Sequence, residues 1–246
     1  MIMSTKSNVL TGLESCRGNF ISGAELAERS GVSRNAVWKA VNELRSEGYP
    51  IESVNNKGYR LGEDSNIISE EGIRLYLNIE KNKKLEPVTI IVYKELDSTN
   101  TEAKKQLIFR EDTFCHGTVI AAERQLAGRG HDGSSFDSPE GGIYLSIILE
   151  PSKMKQGKQS VAEYIAGCVK STLEESLDIK LSVKNKSRIY QGKKKICGIL
   201  TEGIVDMETG KASNYIAGIG ILLEDIKTDN AITRNELIAR LVESIL

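Results

Sequence analysis

The segment Ala121-Ala122-Glu123-Arg124-Gln125-Leu126-Ala127-Gly128-Arg129-Gly130-His131-Asp132-Gly133 carries residue types suited to holding an anion. Gly128, Gly130 and Gly133 let the backbone approach a ligand closely and take up positive φ. Successive backbone N–H groups there, together with Arg129, could form a nest for phosphate or carboxylate. An apolar run at 118–122 reads as a strand entering this segment. A second strand, 143–149, follows the turn Ser138-Pro139-Glu140-Gly141-Gly142. A connection this long between two strands of a compact domain is generally functional or disordered. Taken alone, Gly-Arg-Gly also describes a flexible surface loop.

The elements that must position this segment follow from periodicity. Residues 88–93 are rich in β-branched types and read as a strand. Asp97-Ser98-Thr99-Asn100 then offers an N-cap for a helix over 101–109. Residues 160–177 place Val161, Ile165, Cys168-Val169, Leu173 and Leu177 on one face, a core helix without chemistry on it. Strands are expected at 181–184, 195–203 and 214–221, the last two joined by the turn Asp206-Met207-Glu208-Thr209-Gly210. Gly198 lets backbone lie close to a ligand. Thr233 opens a C-terminal helix with Leu237-Ile238, Leu241-Val242 and Ile245 on one face. Strands with intervening helices imply a mixed sheet covered by helices.

The first part of the chain has another grammar. Ser22, with Glu25 three residues on, is a capping-box pattern for a helix over 23–30. Gly31 breaks that helix, and Ser33 caps a second with Val37, Ala40, Val41 and Leu44 at helical spacing. Two short helices about a turn make a helix-turn-helix. Alternation on either side of Asn55-Asn56-Lys57-Gly58 adds a hairpin that reads as a wing. In this motif the second helix enters the major groove with its N-terminal residues at base edges. Ser33, Arg34, Asn35, Lys39 and Asn42 face outward there, and Lys57 and Arg60 on the wing would add backbone contacts, so operator DNA is the expected partner. Trp38, beside Val37 and Val41, is expected to pack rather than read bases. The fold class is therefore α+β: a winged helix-turn-helix domain over 1–64, a linker with a short helix over 65–87, and a mixed-sheet domain over 88–246.

Composition bounds the alternatives. With a net charge of −1 over 246 residues, no global basic field announces nucleic acid, so DNA contact must come from a local patch. Lys81-Asn82-Lys83-Lys84 reads as a solvated turn. Cys16, Cys115, Cys168 and Cys197 lie far apart without ligand spacing, so neither a zinc site nor a disulfide framework is expected. The N-terminus lacks an apolar signal core and no run suits a membrane span, so a cytoplasmic protein is expected.

The order of motifs is more specific than any one of them. Asp97-Ser98-Thr99-Asn100, Glu123-x-Gln125-x-Ala127-Gly128-Arg129-Gly130, Ser138-Pro139-x-Gly141-Gly142-x-Tyr144-Leu145-Ser146, Val183-Lys184, Lys195-x-x-Gly198-Ile199-Leu200-x-Glu202 and Gly218-Ile219-Gly220 occur in sequence. This order resembles the biotin protein ligases, and more narrowly the bifunctional type that is also the biotin-operon repressor, from about residue 6 to the last residue. The resemblance implies a biotin/lipoate ligase-like fold with biotin as ligand. Ser98, Thr99 and Asn100 would lie at its ureido ring, Gln125 would also face biotin, Arg129 matches the arginine of the loop that covers the ligand, and Gly128, Gly130 and Gly198 would be further biotin-binding positions. Lys184 is expected to be the catalytic cation, polarising biotin's carboxylate and the adenylate phosphate.

The same resemblance exposes departures. The family's Gly-Arg-Gly-Arg loop, which continues to Gly-Arg and a tryptophan, is here Gly128-Arg129-Gly130-His131-Asp132-Gly133-Ser134-Ser135-Phe136. Asp132 places a negative charge near a phosphate site. The Lys-Trp-Pro-Asn-Asp segment, whose Asn and Asp serve nucleotide and magnesium, is Lys184-Asn185-Lys186-Ser187-Arg188. Gly218-Ile219-Gly220-Ile221 is followed by Leu222 in place of an asparagine, and the C-terminal β-domain of such ligases is expected to be missing. The leading expectation is a DNA-binding repressor, acting as a homodimer, that senses biotin or biotinyl-AMP with ligase activity weak or lost. The alternatives are an active ligase using ATP and Mg to biotinylate a carrier protein, and a regulator sensing a different small ligand.

Overall fold

The computed structural model describes residues 4–77, 88–109, 116–154 and 159–246. The basic run at 81–84 and Cys115 lie outside the described residues. Two compact units divide the chain, Met1–Tyr76 and Leu77–Leu246.

In the first unit, α1 (Thr5–Ser15), α2 (Gly23–Ser30) and α3 (Arg34–Ser46) precede the hairpin β1 (Ile51–Val54) and β2 (Gly58–Leu61). Each helix starts on a serine: Ser4, Ser22 and Ser33 accept from the backbone N–H three residues on, at 3.1, 3.0 and 3.2 Å. Ser22 makes that bond to Glu25, while the Glu25 carboxylate pairs with Arg29 at 2.6 Å. Gly31 closes α2 with φ of +65°, the left-handed cap that glycine adopts without strain. Val9, Leu13, Leu26, Val37, Val41, Leu44 and Leu61 form the core. The wing is tied to the helices by the bridge Ile21–Tyr59. Gly58 stands there at φ +101°, against the Ile21 backbone, where a side chain has no room. The helix α4 (Glu70–Tyr76), read from sequence as part of a linker, packs on α1 within this unit.

The second unit is a seven-stranded sheet in the order β3-β4-β5-β9-β8-β7-β6. The strands are β3 (Ile90–Leu96), β4 (Val119–Gln125), β5 (Ile143–Leu149), β6 (Ser182–Lys184), β7 (Arg188–Gln191), β8 (Lys194–Val205) and β9 (Ala212–Ile221). β3 runs parallel to β4, and every other pair is antiparallel. The strand β7 has no counterpart among the sequence expectations. Its Ile189 is buried, but four residues offer too little alternation to announce themselves. Among the described residues, three α-helices complete the unit: α5 (Thr99–Phe109), α6 (Val161–Leu177) and α7 (Arg234–Ile245). A complete capping box at Ser160 and Glu163 starts α6. No helix among the described residues is long and apolar enough to cross a membrane.

Pairing register sorts the sheet's side chains onto two faces, because directly opposed residues share a face. Ala103 of α5 packs with Ile120, Ile148 and Ile216, so the even-numbered residues of β5 and β9 look toward α5. Along that face Ser146 is opposed to Gly218, and Gly218 to Leu200. In the next row Tyr144, Gly220, Gly198 and Arg188 lie side by side across β5, β9, β8 and β7. Two glycines abreast in the middle of a sheet leave a trough where side chains would stand.

The buried Arg234 at the start of α7 ties that helix to the sheet. Its guanidinium donates to the Gly142 carbonyl at 3.0 Å and pairs with Glu123 at 2.7 Å. Removing one charge of a buried pair costs far more than a surface bridge is worth. Arg234→Met should lower stability by roughly 3 kcal/mol, read as a lower midpoint in urea unfolding.

Candidate functional site

A cleft opens over the glycine trough, walled by the first turn of α5, the end of β4, the Gly-rich loop and the strands β7 and β8. Helix α5 starts at Thr99, two residues before the position expected from sequence, so Thr99 and Asn100 stand in its first turn. The Thr99 backbone N–H, which no turn of helix can satisfy, donates to Gln125 Oε1 at 2.9 Å. Gln125 Nε2 donates onward to Ser138 at 2.9 Å. The fully buried Ser146 hydroxyl donates to Asn100 Oδ1 at 2.6 Å and lies 2.7 Å from Thr99 Oγ1. Asn100 Nδ2 donates to Glu202 at 2.8 Å, and Lys104 caps that carboxylate at 2.6 Å. One hydrogen-bonded chain thus runs from the loop through β4, α5 and β5 to β8. Burial pushes the Glu202 carboxyl up, but the bonds from Lys104 and Asn100, with Arg129 nearby, outweigh it and hold the group below its ordinary value.

The Gly-rich segment folds back on itself. Phe136 N–H donates to the Gly128 carbonyl at 2.8 Å, Gly130 N–H to the Ser134 carbonyl at 2.7 Å, and Arg129 bridges to Ser135. This closure lays the Phe136 ring on the trough, where it would meet any side chain at Gly198 (2.8 Å) or Gly220. Lys195 Nζ sits 5.1 Å from the centre of the same ring, a cation–π contact. Burial and the nearby Arg188 both lower the Lys195 pKa.

The residues expected from sequence separate into two groups. Ser98, Thr99, Asn100, Gln125, Arg129, Gly130 and Gly198 line the cleft together. Gly128 is buried behind it, packed against the Phe136 carbonyl at the neck of the loop. Lys184 stands apart: it is exposed at the end of the edge strand β6, with Nζ 4.6 Å from the centre of the Tyr190 ring. The lysine on the cleft is Lys195. Ser146, Glu202 and Lys195 all lie inside motifs visible in the sequence, yet only pairing shows their convergence. The side chain of Asp132 lies outside the described set. Among the described residues lining the cleft there is no Asp or Glu, and the described residues contain no group of three His, Cys, Asp or Glu able to hold a metal ion.

In the first unit Arg34, Asn35 and Lys39 are exposed on the first turns of α3, with Asn42 partly so, while Ser33 is occupied as the cap. Trp38, expected to pack, is instead 55% exposed on the same helix. Val37 and Val41 turn inward, and their neighbour at 38 is carried about 100° around the helix, away from the core. On the wing Lys57 is exposed, whereas Arg60 pairs with Glu52 and stacks on Phe20 at 4.8 Å.

Comparison with known proteins agrees with this fold. Residues 5–60 match an HTH domain, and residues 92–221 match the biotin/lipoate A/B protein ligase family. The chain belongs to that ligase family. Within it, the bifunctional ligase/repressor BirA of Bacillus subtilis is 36% identical over 220 residues, 89% of this chain and 65% of that protein. BirA of Escherichia coli is 31% identical over 208 residues, 83% of this chain and 60% of the relative. The chain therefore spans about two thirds or less of these curated relatives. The biotin protein ligase of Aquifex aeolicus in complex with biotin and ATP superposes with a TM-score of 0.50 at 28% identity, over 63% of this chain and 68% of that one. A Helicobacter pylori biotin acetyl coenzyme A carboxylase synthetase, TM-score 0.54 at 21% identity over 64% of this chain and 73% of that one, shares the fold.

The depressed Glu202 pKa has a signed consequence. Stabilisation through the Asn100–Glu202–Lys104 link is present above the unfolded value near 4.5 and is lost as pH falls through the lower folded value. The stability difference between wild type and Glu202→Gln should therefore be clear at about pH 7 and shrink at about pH 3, as measured by urea unfolding.

Proposed function

We propose that this chain is a DNA-binding transcriptional repressor whose ligase-like unit senses biotin or biotinyl-AMP, with ligase activity weak or lost. The observation that carries this reading is the pairing of an intact hydrogen-bonding wall with a cleft whose described lining has no carboxylate. Thr99, Asn100 and Gln125 are held in place by Ser146, Glu202 and Ser138, and with Ser98 they make a wall suited to the ureido ring of biotin. Preorganised donors and acceptors bind such a group without paying to order themselves on contact. Magnesium-bound ATP asks for carboxylate or amide oxygens at the other end of the cleft. Arg188 occupies that end, and the donor set does not fit a magnesium ion.

The rival reading, an active biotin protein ligase acting on a carrier protein, draws support from Lys195, a cation in the cleft placed to stabilise negative charge on an adenylating carboxylate. In the repressor reading the same lysine holds the ligand's acidic end. A homodimer on a palindromic operator follows from the helix-turn-helix, and ligand contacts with the Gly-rich loop would shift the balance between dimer and monomer.

Two measurements test this. Native mass spectrometry after incubation with biotin and Mg-ATP should show a mass gain for biotin alone; accumulation of biotinyl-AMP would move the assignment to the ligase. Trp38 is the protein's single tryptophan and lies on the recognition helix, so operator DNA should change its fluorescence. Asn35→Ala with Lys39→Ala should weaken that binding roughly tenfold to a hundredfold and flatten its salt dependence. Unaltered affinity would remove α3 as the reading element.

A further inference from the structure

Three cations, Arg129, Arg188 and Lys195, border the cleft, and none of its described lining residues is an acid. Arg129 has Glu202 nearby, across the adjoining recess. Arg188 and Lys195 have no carboxylate within ion-pair distance among the described residues; the Lys195 ammonium lies over the Phe136 ring. The sheet register gives these two cations one location. Arg188 is opposed to Gly198, and Gly198 to Gly220, so its side chain leaves the sheet on the trough side. The register shift in the β7–β8 pairing accompanies the arrival of Lys195 at the same place, with Nζ 3.4 Å from where a Gly198 side chain would begin. Like charges brought together on partly desolvated ground raise each other's energy, and an anion between them reverses the sign of that interaction. The lowered Lys195 pKa, with Arg188 among its causes, reports this proximity.

We infer that Arg188 and Lys195 form a metal-independent binding site for the acidic end of the cleft's ligand, a carboxylate or phosphate taken directly by the guanidinium and ammonium groups. Arg188 is then the residue that sets this end of the specificity, since its planar fork donates to two oxygens of either group. The inference rests on the sensor reading for what fills the other end of the cleft, but the anion site is testable without it. It also gives the carboxylate-free lining a role: a divalent cation finds no carboxylate among the described residues there, and the ligand's negative charge meets fixed positive charge instead.

The test uses the full chain in EDTA. Inorganic phosphate and, separately, acetate are titrated while the side-chain NMR signals of Lys195 and Arg188 are followed. Saturable shifts of both signals are expected in wild type, and Arg188→Gln should weaken the response at Lys195 at least tenfold while the backbone amide spectrum keeps its dispersion. Whichever anion saturates at lower concentration identifies phosphate or carboxylate as the preferred group. No saturable shift with either anion, an unaltered Lys195 titration in Arg188→Gln, or saturation only after magnesium is added would each overturn the inference. Calorimetry with biotin and its uncharged methyl ester separates this from the sensor reading. Biotin should bind wild type at least tenfold tighter than the ester, and Arg188→Gln should erase the difference. If neither compound binds while phosphate still titrates Lys195, biotin is the wrong ligand and the anion site stands. If both bind wild type equally, the anion site falls and the biotin reading survives.

Discussion

The hydroxyl of Ser146 lies in the middle of the sheet with no access to water, and its hydrogen bonds to Asn100 and Thr99 fix the first turn of α5 against β5. A buried hydroxyl without partners would cost free energy, so the helix must present those two side chains at that spot. From there the constraint spreads. Thr99 fixes Gln125 at the end of β4, Gln125 fixes Ser138 at the far end of the Gly-rich segment, and Asn100 fixes Glu202 on β8. A polar wall assembled from five segments is held by bonds that each satisfy a group folding would otherwise strand.

The empty side of the cleft has a different origin. Gly198 and Gly220 face one another across β8 and β9, and Gly218 lies beneath Asn100. Each glycine surrenders sheet propensity and conformational entropy, and the space gained is taken up by Asn100 at one site and by the Phe136 ring at the other two. The aromatic ring is brought there by the loop's own backbone bonds, so loop conformation and cleft shape are a single variable. A ligand that contacts the loop acts on both.

Charge is distributed to match. Within the wall, the Glu202 charge is balanced by Lys104 while Asn100 donates a hydrogen bond to the same carboxylate, so the pair carries no net charge. At the opposite end Arg188 and Lys195 have no carboxylate within ion-pair distance among the described residues. A cleft polar and neutral at one end and positive at the other suits an elongated molecule with a hydrogen-bonding head and an acidic tail, in a chain whose overall charge is only −1.

Much of this protein was legible from local signals. Serine caps, the break at Gly31, helical spacing of Val37, Ala40, Val41 and Leu44, and alternation about Asn55–Gly58 specify the winged helix, because each depends on residues within a few positions. The same holds for β5, for the apolar face of the helix over 160–177 and for the turn at Asp206–Gly210. Motif order was enough for the family and for most of the residues that line the cleft. What required the tertiary structure was every assignment resting on which face of a strand or helix looks where. Lys184 and Lys195 are alike in sequence, each in a short β segment, yet one ends on an exposed edge strand and the other on the cleft. Strand pairing and a register shift decide between them, and both join residues distant along the chain. The outward turn of Trp38 and the convergence of Ser146, Glu202 and Arg188 were settled by the same non-local packing.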